Sequence, residues 1–509
     1  MFKIVLLVLF FAAMIGGGFY CKKQATDVNG FVLGGRSVGP WLTAFAYGTS
    51  YFSAVIFVGY AGQFGWKFGV ASTWIGIGNA VLGSLLAWVV LGRRTRLMSQ
   101  HLNSATMPEF FGSRYKSNSL KIGASAIVFI FLIPYTASLY NGLSRLFAMS
   151  FDIPYEVCII VMAILTGVYV IAGGYMATAI NDFIQGIIMI VGIVAVIAAV
   201  LNLNGGFIGS LDALALVSDP TVSETPGVFA SFFGPDPFNL LCVVILTSLG
   251  TWGLPQMVQK FYAIKSEDAI NKGTVISTVF AMIVAGGCYF LGGFGRLFNV
   301  DVATFGYDAI IPEMMSYLPD ALLGIVIVLV LSASMSTLSS LVLASSSTLT
   351  IDLIKDNVVK DMSDKKQVSC MRVLIVVFIA ISAIMAIIQY QKNVTFIAQL
   401  MGVSWGALAG AFLAPFLYGL YWKKATKTSV WTCFVFGAGI MLVNLFARES
   451  FPVKLQSPIN CGAFSMVAGL IIVPVVSLFT KKSATCDVDE IFECYNKKVT
   501  VSVTEALGD

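Results

Sequence analysis

Long apolar runs separated by short polar breaks repeat from one end of the chain to the other. A helix needs ~20 apolar residues to cross a bilayer. The breaks predict thirteen such helices: 2–20, 40–64, 68–91, 122–147, 156–177, 183–203, 238–258, 273–296, 321–350, 373–390, 394–418, 429–447 and 461–480. The first run lacks the A-x-A pattern of a signal-peptide cleavage site. Bulky Phe19 and Tyr20 precede Cys21, where a lipoprotein site needs small residues, so this run reads as a retained helix. Residues 1–480 therefore form one all-α polytopic membrane domain, followed by a short polar tail, 481–509.

Composition narrows the function classes. Of 509 residues, 58% are hydrophobic and 11% charged, and mean hydropathy is +0.87. A soluble domain carries roughly 25% charged residues, so this chain has too few to cover a water-facing surface. Nine scattered cysteines form no CxxC pair, and the single histidine, His101, lies in a basic stretch. Zinc, heme and His-based catalytic chemistry have no residues to use, and nothing suggests an enzyme or a nucleic-acid partner. An odd number of spans places the termini on opposite sides. With the C-terminus inside, 24 of the 31 Lys and Arg residues fall on inner segments, leaving Lys3, Lys67, Arg145, Arg296, Lys392, Arg448 and Lys454. The positive-inside rule thus predicts N-terminus out and C-terminus in. Arg145 reads as an interfacial side chain reaching for the headgroups.

Two spans look interrupted at mid-depth: the second, through AYGTSYFS at 46–53, and the seventh, through TSLGTWGLPQ at 247–256. Broken membrane helices survive where they line a cavity or bind something. Paired breaks five spans apart point to an inverted-repeat transporter with its site at the breaks. Glycine also permits close helix packing, which is the competing reading of Gly48. The ninth span carries Ser336, Thr337, Ser339 and Ser340. Residues 333, 336, 337 and 340 share one helical face, and hydroxyls with freed backbone carbonyls would suit a hard monovalent cation. Membrane serines alternatively bond back to their own helix or join helices together. Asp182 opens the sixth expected span, where it would be either a helix N-cap or the carboxylate of an ion path. Glu109, after Met107-Pro108, reads as structural.

The segments GGRSVGPWLTAFAYGTS (34–50), NSATMPEFFGSRY (103–115), IAGGYMATAINDFIQ (171–185) and SASMSTLSSLVLASSSTLTIDL (332–353) resemble the sodium:solute symporter family, nearest its bacterial sodium/proline branch. The resemblance implies a LeuT-like fold with five-helix inverted repeats at 40–203 and 238–418 and extra helices at 429–480. It implies a first sodium site at Thr49, Phe52, Ala333, Ser336 and Thr337. It also implies the option of a second at Asp182, Ser336, Ser339 and Ser340, which moves Asp182 from cap toward ion path. The solute would be lined by Ser50, Tyr51, Ser53, Tyr135, Trp252 and Gln256. Where proline symporters carry an aspartate beside the first break, this chain has Tyr51, which counts against proline itself.

The expected function is uptake of a small polar organic solute, an amino acid or small carboxylate, driven by one or two sodium ions in a bacterial inner membrane. No obligatory protein partner is expected. A proton-coupled transporter would leave the hydroxyl cluster unexplained. A channel should show a filter motif, and a sensor an output domain; neither is visible.

Overall fold

The computed structural model describes residues 2–151, 153–355, 357–359, 362–392, 397–480 and 488–496. The Arg145 side chain and most of the tail lie outside the described residues. Secondary structure among the described residues is helical, with two isolated β-bridges, Val38–Ile264 and Asp219–Ser223.

Ten helices among the described residues are long and apolar enough to cross a membrane, and a pair bent by 47° makes an eleventh. In chain order the principal helices are α1 (Phe2–Tyr20), α2 (Pro40–Tyr51), α3 (Val55–His101), α4 (Asn118–Phe151) and α5 (Tyr155–Asn202). The bent pair α6 (Pro237–Gly253) and α7 (Pro255–Ala263) follows, then α8 (Glu267–Leu297) and α9 (Asp320–Lys355). The last four are α10 (Asp364–Lys392), α11 (Ile397–Tyr421), α12 (Lys427–Phe446) and α13 (Pro458–Phe479).

The count differs from thirteen because expected neighbours run on as single helices. α3 and α5 contain 47 and 48 residues. At 1.5 Å rise each would measure ~70 Å, against a hydrocarbon core of ~30 Å. Each turns at a glycine with a positive φ: Gly69 at 63° and Gly174 at 55°. The second turn was expected between 177 and 183. It falls earlier because Gly174 adopts φ 55° and ψ −146°, a region essentially reserved for glycine. Asp182 consequently lies well inside a helix, which removes the N-cap reading.

Burial sorts the helices. In the most apolar 18-residue stretch of α11, 94% of residues are buried, against 17% for α1 and 39% for α5, α10, α12 and α13. α11 and α9 thus form the centre, while the outer helices keep Val and Ile faces for lipid. The packing is closest where glycines meet. A Cβ on Gly65 would lie 2.0 Å from the Gly292 carbonyl, and one on Gly292 would lie 2.0 Å from the Ala61 oxygen. Backbone cannot retreat from either clash. Gly65→Val is expected to abolish the monodisperse peak in detergent chromatography, whereas Gly439→Ala, with nothing within 4 Å, should leave it unchanged.

Basic residues counted on the inner side also do structural work. Arg114, 1% exposed, donates to the carbonyls of Gly419 and Trp422 at 2.9 and 3.3 Å, and Arg94 donates to Leu420 O at 3.1 Å. Both satisfy the orphan carbonyls at the C-terminal end of α11, where cations are favoured. Part of the tail, Val488–Tyr495, packs here: Arg94 lies 4.6 Å from the Tyr495 ring and Lys423 pairs with Asp489 at 2.6 Å. Glu109 is structural, as expected. Thr106 accepts from Glu109 N at 3.1 Å as the helix N-cap, and Glu109 accepts from Ala105 N, the residue before the cap, at 2.7 Å.

Candidate functional site

Both anticipated breaks exist, at Phe52–Ser53 and at Leu254. Their dihedrals are nearly the same: φ −85°, ψ 123° at Phe52 and φ −86°, ψ 123° at Leu254. Pro255 explains the second, since it has no N–H to continue the ladder. The first has no proline and is held from outside. The glycines that drew attention to these spans serve packing instead. A Cβ on Gly48 would strike Phe280 at 2.4 Å, one on Gly250 would strike Trp405 at 2.6 Å, and one on Gly253 would strike Ala409 at 2.8 Å.

The end of α2 meets α9 at the break. Ser336 Oγ lies 3.1 Å from both Thr49 O and Ala333 O. Thr337 Oγ1 lies 3.2 Å from Thr49 O, 3.3 Å from Phe52 O and 3.1 Å from Ala333 O. Five oxygens converge in a buried, uncharged cluster. Two hydroxyl protons face five short acceptor contacts, so lone pairs outnumber donors. The C-terminal carbonyls of α2 add the negative end of a helix dipole. This donor set fits a hard monovalent cation.

Deeper along α9, Ser340 Oγ lies 2.8 Å from Ser50 Oγ and accepts from Lys260 Nζ at 3.1 Å. Lys260 lies 3.9 Å from Asp182 Oδ2, and both side chains are almost completely buried. Ser339 turns away and donates to Ser336 O of its own helix at 2.8 Å. The sequence reading missed Lys260, which it placed among the inner loop cations. It is a buried residue on α7.

On the other side of the break, the Tyr51 and Tyr135 rings each lie 5.9 Å from Trp405 on α11. The hydroxyls of Tyr51, Ser53 and Tyr135, the Trp405 Nε1 and both polar atoms of the Gln256 amide are buried, and none makes a hydrogen bond of full geometry among the described residues. Buried polar groups are rarely left so; Tyr51 and Ser53 flank the first break and Gln256 follows the second. Trp405 was not anticipated, because a lone Trp in an apolar span carries no polar signal. Trp252 and Ser50 were anticipated as solute contacts; in the structure Trp252 Nε1 donates to Leu82 O at 2.9 Å and Ser50 Oγ lies 2.8 Å from Ser340 Oγ.

Residues 31–437 match the model of the sodium:solute symporter family. The chain belongs to that family. It couples sodium movement to the uptake of a small solute, with sodium as the coupling ion. It is 30% identical over 500 residues to the sodium/proline symporter of Staphylococcus aureus, covering 94% of this chain and 93% of that one. The fold matches a Na+-coupled sialic acid symporter in its substrate-bound outward-open state, with a TM-score of 0.72 at 16% identity over 96% of this chain and 99% of that one. A manganese transporter of Eremococcus coleocola is a more distant likeness: TM-score 0.51, 10% identity, covering 90% of this chain and 95% of that one.

Proposed function

We propose that the chain carries a small polar organic solute inward by alternating access, with sodium held at the α2 break. The observation that carries this reading is the double use of one interruption. Phe52 turns its carbonyl to Thr337 on α9, while its neighbours Tyr51 and Ser53 carry buried hydroxyls that make no hydrogen bond of full geometry among the described residues. A sodium ion bound to Thr49 O, Phe52 O, Ala333 O, Ser336 Oγ and Thr337 Oγ1 would fix the backbone that aims Tyr51 and Ser53. Ordering of one site then lowers the cost of ordering the other, and linkage makes the gain reciprocal. Inward movement of each sodium is favoured by ~2.3 kcal/mol per 100 mV.

We also propose thirteen crossings, ten of them in two inverted five-helix repeats, with the N-terminus outside in a bacterial inner membrane. Dividing α5 at Gly174 and α3 at Gly69, with α2 joined to the first limb of α3 and α6–α7 taken as one, supports that number. The matching dihedrals at Phe52 and Leu254 support the repeat.

For the solute, Tyr51, Ser53, Tyr135 and Gln256 offer hydrogen bonds without fixed charge, and Trp405 offers an apolar wall. An amino acid or small carboxylate fits such a lining better than a polyanion. The Staphylococcus relative is named for proline, but Tyr51 stands where proline symporters carry an acid. We expect Tyr51→Phe and Tyr135→Phe each to raise the solute KM about tenfold, the cost of one hydrogen bond of about 1.4 kcal/mol. Sodium dependence at saturating solute should stay within about twofold. Radiolabelled uptake into proteoliposomes, run with sodium, potassium or choline outside, checks both expectations. Equal uptake in choline would remove the sodium reading.

A further inference from the structure

The resemblance leaves room for a second sodium among Asp182, Ser336, Ser339 and Ser340, and the structure places a cation there already. Lys260 Nζ lies 3.1 Å from Ser340 Oγ and 3.9 Å from Asp182 Oδ2. It also sits 5.0 Å from the centre of the Tyr175 ring, whose electron-rich face favours a positive charge. Neither Asp182 oxygen accepts a hydrogen bond among the described residues, so the Lys260 ammonium is the charge that balances it.

The remaining oxygens are committed as well. Ser340 is shared between Lys260 and Ser50, and Ser339 donates to the backbone of its own helix. A mobile ion entering here would have to displace a tethered ammonium and then share Asp182 with it. Two like charges at that separation in a buried site repel strongly. The donor set therefore fits a second sodium poorly.

We propose that Lys260 is a built-in second cation, and that it holds the sodium stoichiometry at one ion per solute. The inference rests on sodium binding at the α2 break. Lys260 stands where a second sodium would otherwise balance Asp182, at a concentration that never varies. Through Ser340 and Ser50 it also braces the residue next to Tyr51, so the fixed charge supports the solute side of the break without consuming the gradient.

The test is equilibrium binding of radioactive sodium to the full-length chain in nanodiscs, with sodium-dependent thermal stability measured on the same samples. Wild type should bind one sodium per chain. Lys260→Gln, which removes the charge and keeps most of the volume, should bind two, with a steeper sodium dependence of its thermal midpoint. Lys260→Arg and the double variant Asp182→Asn with Lys260→Gln should each return to one. Two ions bound by wild type, or one by a folded Lys260→Gln with an unaltered sodium slope, would overturn the proposal while leaving the break as the sodium site. No sodium bound by wild type would instead overturn the break as the sodium site, and this inference with it. Should Lys260→Gln fail to fold, the wild-type stoichiometry and the double variant still decide the matter.

Discussion

Thr337→Val is expected to raise the sodium concentration for half-maximal uptake by about ten- to a hundredfold, with the amount of folded protein nearly unchanged. Thr337 Oγ1 reaches the Thr49 and Phe52 carbonyls across the α2–α9 contact and the Ala333 carbonyl of its own helix. Valine keeps the branched shape and the packing but presents a methyl group where an oxygen stood. A hydrogen bond or ligand contact to a charged group contributes ~1.5–3 kcal/mol, and each 1.4 kcal/mol is a factor of ten. Ser336→Ala should behave alike, since Ser336 Oγ contacts Thr49 O and Ala333 O. The two residues share Thr49 O, so their effects should not add. Sodium titrations of uptake, with protein quantified in the same vesicles, give the answer. An unchanged half-saturating concentration in a well-folded Thr337→Val variant would remove this hydroxyl from the site.

The second large effect concerns stability. Asp182→Ala leaves the Lys260 ammonium buried with no carboxylate beside it, and breaking a buried ion pair from one side costs ~3–5 kcal/mol. Folded protein should fall sharply and the thermal midpoint should drop. Adding Lys260→Met removes the stranded charge and should recover most of the loss, because replacing both partners of a buried pair is often close to neutral. A double-mutant cycle read by thermal unfolding checks this. Independent, additive losses from Asp182→Ala and Lys260→Met would mean that the two side chains do not depend on each other.

The features readable from sequence are those whose signal is local. A hydroxyl face on α9 follows from spacing alone, and Ser336, Thr337 and Ser340 do meet the α2 end. The structural role of Glu109 was legible from its place just after Met107-Pro108 in a polar segment. Both breaks were located to within a few residues, although the glycines that suggested them turned out to accommodate Phe280, Trp405 and Ala409. A glycine records that space is needed and does not say for what.

The features that escaped depend on the third dimension. Lys260 sits near the end of a span, where a lysine ordinarily meets water, and its burial against Asp182 arises only when α7 folds beside α5. Trp405 becomes a wall of the polar cluster because α11 lies at the centre of the bundle. Asp182 looked like a helix start because the chain was expected to turn just before it. Gly174 makes the turn earlier, and the carboxylate moves from a helix end into the interior.

Sodium and solute are expected to order the same break, and one measurement addresses that directly. Purified wild-type protein in nanodiscs is titrated with sodium, with potassium and choline as controls. Thermal stability is followed against amino acids, short carboxylates, vitamins and sugars. Stabilisation specific to sodium is expected, and one solute should deepen it while lowering the sodium concentration required, by the same factor by which sodium tightens that solute. Stabilisation indifferent to sodium, with solute binding that follows acidity instead, would contradict it and return the serine and threonine cluster of α9 to helix packing.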